Sequence, residues 1–149
     1  MKSLVAADGS EASKNALEYA ADIADAMDGS ITVVHAVDPT AYDEGGDEPA
    51  LSLWESEPRL VIESVEDAEA RGQQHLEDAA DLAAECGQIV ETELLYGNPV
   101  VAITAYAEEE GFDTIFVGHR GRSGRAGMML GSVAKSLVER ATVPVSVVR

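Results

Sequence analysis

Asp113-Thr114-Ile115-Phe116-Val117 runs directly into Gly118-His119-Arg120-Gly121, and nine residues further on stands Gly131-Ser132. The apolar run has the length of a buried strand, and Ser132-Val133-Ala134-Lys135-Ser136-Leu137-Val138 that of a short helix. A glycine-rich loop between a strand and a helix is where backbone amides can approach a phosphate. No Gly-Lys-Ser/Thr follows it, so it is not a Walker A loop. The later glycines, Gly121-x-x-Gly124-x-x-Gly127, do not have the dinucleotide-fingerprint spacing.

Working outward, Leu4-Val5-Ala6-Ala7 reads as a buried first strand ended by the turn Asp8-Gly9-Ser10. Leu17, Ala20, Ala24 and Met27 then recur at helical steps between acidic residues, until Gly29 stops the helix. Ile31 to Val37 is rich in β-branched residues and gives the second strand. From Pro58 an apolar stripe continues to Gly87, interrupted at Gly72. Ile89 to Leu95 makes a third strand at an edge, and Asn98-Pro99 caps a helix that ends at Gly111. Thr142 to Val148 closes the chain as an edge strand, because Pro144 cannot donate to a ladder. Five strands alternating with four helices predict an α/β fold: an open, parallel, three-layer sheet of order 3-2-1-4-5, Rossmann-like, with helices on both faces. Ligands of such sheets bind where the winding reverses, here between Asp8 and Gly118.

The 149 residues are read as a single domain, 1–149, interrupted by an acidic surface insert at 38–57 with seven acids and no base. Trp54, the only Trp, is expected to pack locally or at a subunit contact. No run is long and apolar enough for a bilayer and no secretion signal is apparent, so the expectation is a soluble, cytoplasmic protein without a membrane partner. Cys86 is alone and is expected to face the core. The net charge of −18 is unevenly spread: residues 1–117 carry four Lys/Arg against 27 Asp/Glu, and residues 118–149 carry six against Glu139 alone. An acidic surface repels nucleic acid, which is excluded as a general partner, and resembles the halophilic type, whose stability rises with salt. The cations gather at the glycine loop.

The loop pattern G-x2-G-x9-G-S resembles that of the universal stress protein family, in particular its ATP-binding branch. The likeness extends to Val5-Ala6-Ala7-Asp8-Gly9-Ser10, to His35-Ala36-Val37-Asp38 and to Val143-Pro144-Val145-Ser146-Val147-Val148-Arg149. It implies an adenine nucleotide α-hydrolase-like fold that binds ATP, or AMP or ADP. Asp8 and the backbone at Ala36 would contact adenosine. Gly118, Arg120 and Gly121 would contact ribose and phosphate, Gly131, Ser132 and Val133 would hold the phosphates, and Val117 would belong to the same nucleotide site. This chain has Ala6 where many members have Pro, which leaves the first turn less rigid. The resemblance also implies a homodimer through Val143 to Val148, and a stress-response or signalling role.

Plainer readings stand beside these. Asp8 with Glu11, and Ser132, could each be a helix cap, and Arg120, Arg122 and Arg125 solvated loop charge. Caps alone do not explain the loop spacing. His35 is expected to be structural, while His119 could touch phosphate. No nucleophile with a base accompanies it, so no catalytic residue is named and turnover, if any, is slow ATP hydrolysis. Asp38, Asp43 and Asp47 fit no known cation loop, and Mg²⁺ is expected only with nucleotide phosphates. A scaffold of the same fold that holds no nucleotide is the alternative.

Overall fold

The computed structural model describes residues 1–39, 64–121 and 130–149. Its order is β1 (Lys2–Ala6), α1 (Glu11–Met27), β2 (Ser30–Val37), α2 (Val65–Glu85), β3 (Glu91–Tyr96), α3 (Pro99–Glu109), β4 (Thr114–Gly118), α4 (Ser132–Arg140) and β5 (Val145–Val148). The strands form one sheet of order β3-β2-β1-β4-β5, and every pairing is parallel. The topology is the expected one.

Neighbouring residues of the central strands point to opposite layers, so the continuous apolar runs serve two cores. Val5, Val33 and Phe116 pack with Leu17 and Ala20 of α1 and Leu76 of α2. Leu4, Val34 and Ile115 pack on the other face with Ile103 of α3 and Leu137 of α4. Leu4, Leu17, Leu76, Ile115 and Leu137 are fully buried, each contributing about 1.5–3 kcal/mol of transfer free energy. Ala12, Ala16, Ala20 and Ala24 give α1 a small-residue face, which lets it lie close to the sheet.

Several boundaries differ from expectation. The helix read from Pro58 begins instead at Val65, where Ser64 is extended and accepts from Asp67 N–H at 3.1 Å; Pro58, Trp54 and the insert from residue 40 lie outside the described residues. Gly72 does not interrupt α2; it is a buried position inside it. α1 ends through Asp28, left-handed at φ 52°, and not through Gly29. β3 starts at Glu91, and Ile89 is 99% exposed. β5 starts at Val145 because Pro144, which has no N–H, contributes only its carbonyl, accepting from Ile115 N–H at 2.9 Å.

Candidate functional site

The carboxyl ends of β1, β2 and β4 open into a cleft of about 680 Å³. Its wall includes all nine residues singled out in the sequence: Asp8, Ala36, Val117, Gly118, Arg120, Gly121, Gly131, Ser132 and Val133. Topology accounts for their meeting, since β1 pairs with both β2 and β4 although more than a hundred residues separate β1 from β4.

The first turn is tied tightly. Asp8 Oδ1 accepts the Ser10 amide at 2.9 Å, and Ser10 Oγ accepts the Ser13 amide at 3.1 Å. Ser10, therefore, is the N-cap of α1, and Asp8 is not. The other carboxylate oxygen of Asp8 faces Gly121, where a Cβ would lie 2.7 Å from it. A Cβ at Gly118 would strike the backbone of Ala12 at 2.7 Å, and one at Gly131 would meet Arg120 Cα at 3.3 Å. The motif glycines thus fold the loop against α1, against Asp8 and against itself. The expectation that they make room for a phosphate alone is too narrow.

Two backbone bonds shape the returning loop: His119 N–H donates to Val148 O at 2.7 Å, and Gly131 N–H donates to His119 O at 2.6 Å. Arg120 Nε–H donates to His119 Nε2 at 3.1 Å, which places the neutral ring's proton on Nδ1. That Nδ1 is buried and has no partner among the described residues. Arg122 and Arg125 lie outside the described residues, as do Asp43 and Asp47. Among the described residues, no three His, Cys, Asp or Glu side chains come together as a metal site.

At the start of α4 the N-cap is Gly131, with no side-chain cap bond, and Ser132 is the first helical residue and not a cap. The other three helices are capped by Ser10, Ser64 and Asn98. The first residues of α4 therefore line the cleft with the helix's partial positive charge and, among the described residues, no side-chain cap. The cleft also has an apolar side, made by Val34, Ala36, Pro99, Ile103, Val117 and Val133.

Residues that the sequence reading left out complete the wall. Arg71 and His75 of α2 line the cleft. His35 lines it too, its Nδ1–H donating to Ala7 O at 2.7 Å, and its ring lies 5.3 Å from that of His75. The structural role expected of His35 fits this bond. The four-residue step from Arg71 to His75 was available in the sequence, but nothing there says which face of the helix meets the crevice. Cys86 was expected in the core and is exposed at the end of α2. Its thiol pKa is raised, mainly by partial desolvation and then by Glu18, Asp22 and Glu85.

Comparison with known families decides the matter: the universal stress protein family model matches residues 1–149. The chain belongs to the universal stress protein family. The universal stress protein YxiE of Bacillus subtilis is 34% identical over 149 residues, covering 99% of this chain and 98% of its own. Universal stress protein UspA from Lactobacillus plantarum superposes with a TM-score of 0.78 at 26% identity, covering 100% of this chain and 97% of the other. A universal stress protein solved in complex with cAMP gives 0.67 at 25% identity, covering 100% and 96%. The three-layer fold is that of UspA-like neighbours. No helix among the described residues is long and apolar enough to cross a membrane.

Proposed function

We propose that the cleft binds an adenine nucleotide, ATP foremost, and that the protein serves as a nucleotide-responsive module of the stress response. One observation carries this reading. Of the four helices described, only α4 lacks a side-chain cap, and its first residues, Ser132, Val133 and Ala134, line the cleft. A phosphate there accepts from the amides that the other helices satisfy internally, with the Ser132 hydroxyl and the Arg120 guanidinium as further donors. The base takes the apolar side, and the ribose lies near Asp8. The cleft volume falls within the range of about 300–1,000 Å³ usual for small-molecule sites. The neighbour solved with cAMP, itself an adenine nucleotide, supports the class of ligand. Mg²⁺ enters with the phosphates and is held by them.

Calorimetric titration with ATP, with and without Mg²⁺, tests the reading. Wild type binds, and Arg120→Ala weakens binding by about tenfold, the usual effect of losing one charge-assisted hydrogen bond. No heat at millimolar ATP, or an unchanged affinity in Arg120→Ala, contradicts it. Gly131→Val is a poorer probe, since its Cβ alone would press on Arg120. We further propose a homodimer through β5, which pairs with β4 and, among the described residues, has no strand on its other side.

A further inference from the structure

Two glycines of this chain seat an imidazole pair at the cleft. Gly9, at φ +81°, leaves the space that His75 fills: a Cβ there would stand 2.5 Å from its Cε1. Gly72, in mid-helix, does the same for His35, whose Cδ2 would be 2.7 Å from a Cβ. A glycine inside a helix is less favourable than an alanine. The fold thus holds this wall of the cleft closely packed, with the His35 ring fixed through Ala7 O.

Arg71 stands one turn before His75 on the same face of α2, and both line the cleft. Their wall belongs to the α1/α2 layer, whereas Ser132 begins a helix of the α3/α4 layer. Residues that carry hydrogen-bond donors therefore line the same space from two opposite layers. One phosphate at α4 engages Ser132 and Arg120. A second donor wall that carries a guanidinium charge suits a ligand with a further anionic group.

We propose that Arg71 and His75 form a second anion-holding wall, which makes the site select nucleoside di- and triphosphates over the monophosphate. The inference rests on the nucleotide reading above. Arg71 supplies a fixed charge with a planar donor fork, and His75 a ring N–H beside it. Both act as binding and specificity residues, with no part in any bond-breaking step.

The test compares AMP, ADP and ATP by calorimetry for wild type, Arg71→Ala, Arg71→Lys and His75→Gln, with melting curves to confirm folding. Wild type is expected to bind ADP and ATP at least about tenfold more tightly than AMP. Arg71→Ala brings the three within about threefold by weakening ADP and ATP while leaving AMP unchanged, Arg71→Lys keeps most of the preference, and His75→Gln loses part of it. Equal weakening of all three ligands by Arg71→Ala, or a preference that survives it, overturns the proposal while leaving the nucleotide site standing. Failure of all three to bind wild type overturns the nucleotide reading, and this inference with it.

Discussion

Asp8 holds the turn and Ser10 holds the helix, a division of labour that depends on which oxygen reaches which amide. The sequence pointed to Asp8 with Glu11 as a cap, because which oxygen reaches which amide is set by the folded turn. Gly72 is a sharper case. In an open helix, Gly→Ala gains up to about 1 kcal/mol. Here the added methyl would lie 2.7 Å from His35 and 2.9 Å from Leu94 Cδ1, so overpacking of about 1–3 kcal/mol outweighs that gain. We expect Gly72→Ala to lower stability by roughly 1 kcal/mol in urea unfolding, and to lower it less in a His35→Ala background. A stabilised single variant contradicts the packing. Gly72 read as an interruption because helix propensity was the only term visible in the sequence.

The elements themselves were largely legible: all five strands, their order, and the four helices follow from apolar runs and punctuation. Their ends were not, because ends are set by partners. Ser64 begins α2 through a cap bond to Asp67, and Asp28 closes α1 by adopting a left-handed backbone that was expected of a glycine. β5 begins at Val145, where its ladder with β4 begins. On the far side of β5, the backbone groups of Val145 to Val148 invite a second copy, which would extend the sheet across a two-fold axis. Light scattering should therefore return twice the chain mass. The mass of one chain, at the salt concentration at which the protein is stable, counts against the dimer.

At the scale of the molecule, charge and topology converge. The acidic stretch 1–117 and the basic stretch 118–149 are joined at the strand that ends in Gly118. The parallel sheet places that junction beside Asp8, so Arg120 of the basic segment lines the cleft of an otherwise acidic chain. The cleft was legible as far as the resemblance reached, and all nine residues singled out in the sequence line it. The α2 wall was not, because Arg71 and His75 gain meaning only once α2 is laid on β2 with its Gly72 face inward. On the function proposed above, the uncapped start of α4 receives the phosphates. Amide chemical shifts of isotopically labelled protein during an ATP titration test it most directly. The account predicts that the largest changes fall on the amides of Ser132 and Val133, with Gly121 beside them; changes confined to other helices, or none at saturating ATP, would contradict it.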